Sequence, residues 1–99
     1  MVYLPADQIV ERYGKEWVER YRDENGLPII AKIFGWPEND VYVVLREEKE
    51  RKRIQKSLEK ELENIKKEFS SDKGIQSVRI KTITKAEYDE KWKNRMRIL

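Results

Sequence analysis

The side chains able to do chemistry in this 99-residue chain are few in kind: there is no His and no Cys, against 22 Lys and Arg and 19 Asp and Glu. Imidazole acid–base chemistry, thiolate nucleophiles and thiolate zinc sites are therefore excluded. A hydrolase would need a Ser-Lys pair or paired carboxylates. Ser57, Ser70, Ser71 and Ser77 fall on a charged helical stretch, in its stop signal or on a strand, and none occupies the strained turn that activates a serine. Gly14, Gly26, Gly35 and Gly74 are isolated, so no phosphate-cradling loop is encoded. The expectation is a protein that is not an enzyme, with no cofactor and no metal.

What remains is cations and rings. Period-two alternation puts Arg79 and Lys81 on one strand face, beside Tyr42 and Arg46 of a second strand and Lys32 and Phe34 of a third. Further along, Lys91, Lys93, Arg95 and Arg97 surround Trp92. Phosphate partners next to stacking rings are what a single-stranded nucleic acid needs, so these cations and Tyr42 are the candidate nucleic-acid contacts. The plainer reading is a solvated strand face and a cation-rich helix end, which the helix dipole favours in any case.

The net charge of +3 is too small to imply nucleic-acid binding, but its distribution is uneven. Residues 1–40 sum to −3, residues 41–69 to +2 and residues 70–99 to +4. The length fits one domain over 1–99, and the ten aromatics with clustered apolar residues imply a small core despite a hydrophobic fraction of 38%. No uncharged run approaches membrane-spanning length, and the N-terminus lacks a basic start followed by an apolar stretch. A soluble, intracellular protein without a membrane partner is expected.

Positioning these residues requires an α+β fold. Ile9, Tyr13, Trp17 and Tyr21 recur every four positions, which predicts a helix from Pro5 toward Asn25, either continuous or broken at Gly14 and stopped by Gly26. Leu27–Phe34 and Val41–Arg46 flank a turn-rich loop, Gly35–Asp40, and predict a hairpin. Ile54, Leu58, Leu62, Ile65 and Phe69 form a narrow stripe on a helix over 47–69, with Glu47–Arg51, Glu48–Lys52 and Glu63–Lys67 as (i, i+4) pairs. Ile75–Ile83 alternates as a third strand, and Thr84 with Glu87 makes a capping box opening a helix from Lys85 to about Met96, with Tyr88 and Trp92 on its inner side. The order is α-β-β-α-β-α. A long helix joining the second and third strands should make them parallel, giving a three-stranded mixed sheet.

A single helix layer on such a sheet would leave Ile30, Phe34 and Val44 on its other face, to be covered by the first and last helices or by a second copy. With Trp36 in the hairpin loop, these residues form the candidate interface of a homodimer.

Two resemblances accompany this reading. Abundant Lys, Arg and Glu with three Ala and no Cys resembles the style of small proteins of hyperthermophilic archaea and their filamentous or rod-shaped viruses. This implies heat stability through ion-pair networks, and the host cytoplasm as location for a viral protein. The run of helix, strand closing on Phe34-Gly35, loop, Asp40 opening a strand, long helix and strand resembles the minimal core of nucleotidyltransferases over roughly residues 7–83. That family follows its first strand with Gly-Ser and opens its second with Asp-x-Asp, because magnesium demands hard oxygen ligands. Here Trp36 replaces the Ser and Tyr42 the second Asp, so this resemblance implies an inactive relative. The expected function is non-enzymatic binding or self-association, with nucleic acid as the alternative ligand.

Overall fold

The computed structural model describes residues 4–36 and 39–91. Its elements are α1 (Pro5–Arg20), β1 (Ile30–Gly35), β2 (Asp40–Leu45), α2 (Arg51–Glu68), α3 (Lys73–Gln76), β3 (Arg79–Thr84) and α4 (Lys85–Lys91). The three strands lie in the order β1-β2-β3, with β1 and β2 antiparallel and β2 and β3 parallel across α2, an α+β fold with a mixed sheet.

Pro5 opens α1, where its missing N–H costs nothing. The helix runs unbroken through Gly14 and stops at Arg20, before the expected limit. Gly26, the sole residue with positive φ (80°) among those described, serves the following loop instead of the helix end. That loop is organised by the Asp23 carboxylate, which accepts from the N–H groups of Asn25 and Leu27 at 2.8 and 2.9 Å. Tyr21 leaves the helix in an extended conformation, and its hydroxyl sits 2.6 Å from Ser57 Oγ on α2. Beside it, Arg20 pairs with both Glu16 and Glu61, so the end of α1 is tied to α2 by ions as well as by packing.

One sheet face carries the core. Val41, Val43, Leu45 and Ile80 pack against Ile9 and Trp17 of α1 and Ile54, Leu58, Leu62 and Ile65 of α2. Full burial of a side chain such as Leu58 contributes about 1.5–3 kcal/mol. α2 begins at Arg51, so Glu47 and Glu48 precede it. The ion pairs at its start are therefore Glu48–Arg51 and Glu50–Arg53, at (i, i+3), in place of the predicted Glu47–Arg51 and Glu48–Lys52. Before β3, residues 73–76 form a helical turn capped by Asp72 instead of the start of a strand, and this turn drops Ile75 into the core.

The ladder between β1 and β2 shifts register between Ile30 and Lys32. An extra residue in one strand reverses which side chains face the core. Ile30 therefore points inward and is 2% exposed, while Lys32 and Phe34 lie on the reverse face, so Ile30 is no interface residue.

The outer edge of β3 is closed by side chains. The Gln55 amide of α2 donates to the Ile80 carbonyl at 2.8 Å and accepts from the Thr82 N–H at 2.9 Å, in the manner of a neighbouring peptide group. Arg51 donates to the Thr82 carbonyl at 2.9 Å, and Glu87 accepts from the Thr84 N–H at 3.2 Å. An open edge templates pairing with another chain, and here the Ile80 carbonyl, both main-chain groups of Thr82 and the Thr84 N–H are already taken.

Candidate nucleic-acid interface

The sheet face turned away from α1 and α2 carries Lys32 and Phe34 from β1, Asp40, Tyr42 and Val44 from β2, and Arg79, Lys81 and Ile83 from β3. The cross-strand register sets these neighbours: Phe34 opposite Tyr42, Asp40 opposite Arg79, Tyr42 opposite Lys81. At one end α4 folds back across the face, its start fixed by the predicted capping box of Thr84 and Glu87. Val44 is thereby 1% exposed and Ile83 8%, so Val44, expected at an interface between copies, is covered within its own chain.

The rings of Phe34 and Tyr42 stack with centroids 5.5 Å apart and planes 16° off parallel, and Tyr88 of α4 meets Phe34 edge-on at 5.7 Å. Lys32 donates to the Tyr88 hydroxyl at 2.9 Å and lies over both the Phe34 and the Tyr88 rings. Lys81 lies over Tyr42, 6.0 Å from its centroid. These cation–ring contacts hold two long side chains upright beside the aromatic row.

Asp40 anchors the other cations. Only 5% exposed, it accepts from the Arg79 guanidinium at 3.0 Å and lies 3.6 Å from Lys81 Nζ. Arg79 and Lys81 themselves remain well exposed, with side-chain accessibilities of 66% and 46%. With both oxygens engaged in this way, the carboxylate is an internal counter-ion to the two side chains. Among the described residues no cluster of three or more His, Cys, Asp or Glu is placed to hold a metal.

Of the candidate residues, the fold brings Lys32, Tyr42, Arg79 and Lys81 together. Arg46 departs from them. It lies past the end of β2, where Asp23 takes its guanidinium at 2.8 Å, and lines a different depression. The Asp23 carboxyl is held below the usual carboxylate range, first by the Leu27 N–H and then by Arg46, with burial opposing. Lys91 is exposed at the end of α4. Lys93, Arg95 and Arg97, with Trp92, lie outside the described residues.

Among the proposed interface residues, Phe34 and Trp36 are half-buried, Phe34 in the ring stack and Trp36 where its N–H closes the hairpin on the Asp40 carbonyl. With Ile30 and Val44 covered, Leu27 is the exposed large apolar side chain among the described residues, at 51%. The apolar surface that implied a dimer is thus largely consumed within one chain. Two residues that sequence reasoning missed organise the face and its edge: Asp40, read as a turn residue or relic metal ligand, and Gln55, without a role in the sequence reading.

No family model, no curated protein and no solved structure matches this chain. Among the described residues no helix is long and apolar enough to cross a membrane.

Proposed function

We propose that this protein is a non-enzymatic binding module whose ligand is nucleic acid, held through its phosphates on the sheet face that carries Lys32, Tyr42, Arg79 and Lys81. The observation that carries the reading is the buried Asp40 carboxylate, which fixes Arg79 and Lys81 side by side at the surface. Arg79 and Lys81 share the buried carboxylate and Lys32 stands apart from it on Tyr88, so these three cations against Asp40 leave a positive excess. Cations already ordered by ring and carboxylate contacts lose less rotamer entropy when they meet a phosphate, which favours binding over a loose set of surface lysines.

Affinity for a short labelled oligothymidylate, followed by fluorescence anisotropy, should fall steeply between about 50 and 200 mM salt. Arg79→Gln with Lys81→Gln, which removes both charges but keeps amides able to donate to Asp40, should abolish binding while leaving the far-UV circular dichroism unchanged. Failure of the unsubstituted protein to bind at the lower salt concentration, or undiminished binding by the doubly substituted one, would refute the reading.

A further inference from the structure

We infer that the binding track does not end at β3 but crosses its sealed edge into the groove between β3 and α2, where Lys52 and Lys56 form a second row of phosphate contacts. This inference rests on the reading of the sheet face given above. The groove has a volume of about 740 Å³, a floor that includes Tyr42, Ile80 and Ile83, and Lys81 on one rim. Tyr42 and Lys81 therefore belong to both surfaces, and a strand lying along them is led directly into the groove.

Lys52 and Lys56 stand four residues apart on one face of α2, both exposed and in no ion pair among the described residues. Around the groove, Arg51 is taken up by Glu48 and Glu87, which leaves Lys52 and Lys56 of α2, with Lys81 on the facing rim, against Glu59. The excess is positive, and it continues that of the sheet face.

The chemistry of the floor separates a nucleic acid from a peptide. An extended peptide in this groove would add to the edge of β3 through main-chain hydrogen bonds. Gln55 and Arg51 already occupy the Ile80 carbonyl and the Thr82 N–H and carbonyl, so a peptide would have to displace three short bonds to gain their equivalents. A polyanion needs none of them, because its contacts are with the lysines on the rims.

The test is the salt dependence of oligothymidylate binding by the full chain. Each phosphate contact to a single strand contributes about 0.7 to the slope of log affinity against log salt. Lys52→Ala with Lys56→Ala should therefore flatten the slope by about 1.4, two contacts at ~0.7 each. Lys67→Ala with Lys73→Ala, which removes the same charge from exposed positions away from the groove, should leave the slope close to that of the unsubstituted protein. An unchanged slope for the groove variant overturns the inference and leaves the sheet-face site standing. An equal flattening by both variants overturns it as well, since overall charge would then be the cause. Absence of binding by the unsubstituted protein fails the sheet-face reading itself, and the groove with it.

Discussion

Replacing Gln55 with Ala should destabilise the fold by about 2 kcal/mol, although the residue contributes nothing to the apolar core. Its amide makes three short bonds to β3: to the Ile80 carbonyl at 2.8 Å, from the Thr82 N–H at 2.9 Å and from the Thr82 hydroxyl at 2.8 Å. At a net ~0.5–1.5 kcal/mol for each neutral bond, their loss spans about 1.5–4.5 kcal/mol. Gln55 is only half-buried, so water can enter and partly satisfy the vacated groups, which places the expectation toward the lower end. For a domain of this size that corresponds to a fall in Tm of roughly 8–16 °C. Urea unfolding followed by circular dichroism gives the free energy, and calorimetry gives the Tm. Gln55→Glu sharpens the test: a carboxylate still accepts from Thr82 but faces the Ile80 carbonyl as acceptor against acceptor, so at neutral pH it should be no more stable than the Ala variant. A loss under about 0.5 kcal/mol for Gln55→Ala would mean that the edge of β3 is satisfied by solvent and that Gln55 does not seal it.

Gly14→Ala should stabilise the protein by up to about 1 kcal/mol in urea unfolding, because a Cβ there meets Val10 at 3.6 Å and Ile33 at 3.9 Å, ordinary contacts inside a continuous helix. Gly35→Ala should cost about 1–3 kcal/mol in the same assay, since its Cβ would come within 3.1 Å of Ala6 Cβ and 3.3 Å of the Asp7 backbone nitrogen, neither of which can swing aside. Asp40→Asn frees Arg79 and Lys81 from the carboxylate that orders them and should weaken oligothymidylate binding at low salt even though it removes a negative charge; tighter binding would show that Asp40 acts only as a counter-charge and would refute its positioning role. The Glu87 carboxyl is held below the usual range, first by the Thr84 N–H, against burial, and then by Arg51 and the Thr84 hydroxyl. A carboxyl depressed in the fold stabilises it above its unfolded pKa of about 4.3, and that stabilisation is lost as pH falls through the lower folded value. Stability measured against pH should therefore fall on the acid side, and Glu87→Gln, which keeps the cap but not the charge, should make that fall shallower.

The elements legible in the sequence are those whose signal is local. The stripe Ile54, Leu58, Leu62, Ile65 specifies α2 because each member meets the same core, and all four are buried. Ile80 and Thr82 alternate inward against Arg79 and Lys81 outward, and Thr84 with Glu87 caps α4. What escaped is non-local or too short. Ile30 changes faces because of one extra residue in its pairing with β2, which depends on the partner strand and not on the run Ile29–Phe34 itself. The turn at 73–76 is four residues long, below the length at which helical periodicity can be read. Asp40 and Arg79 stand 39 positions apart, and Gln55 and Thr82 stand 27 apart. Residue type alone does not tell that a Gln between Ile54 and Lys56 completes a strand edge, or that an Asp after a turn is a buried counter-ion. Arg46 has the parity of the basic face but lies past the end of β2, where the Asp23 loop captures it.

The arrangement of the rings bears on how the proposed site would discriminate among ligands. Phe34 and Tyr42 turn their faces to each other, and Lys32 and Lys81 lie over them at 5.9 and 6.0 Å. A base could stack fully on either ring only by parting this cross-strand pair or displacing a lysine, and so forfeiting contacts worth on the order of 0.5–1.5 kcal/mol each. The aromatics thus act first on the cations, holding them at fixed points beside Arg79, and only second on a ligand. Binding on such a face draws its free energy from phosphates and released counterions, which carry no base identity. The same geometry that would make the site steeply salt-dependent would therefore make it indifferent to sequence, as befits a surface that follows a backbone without reading bases.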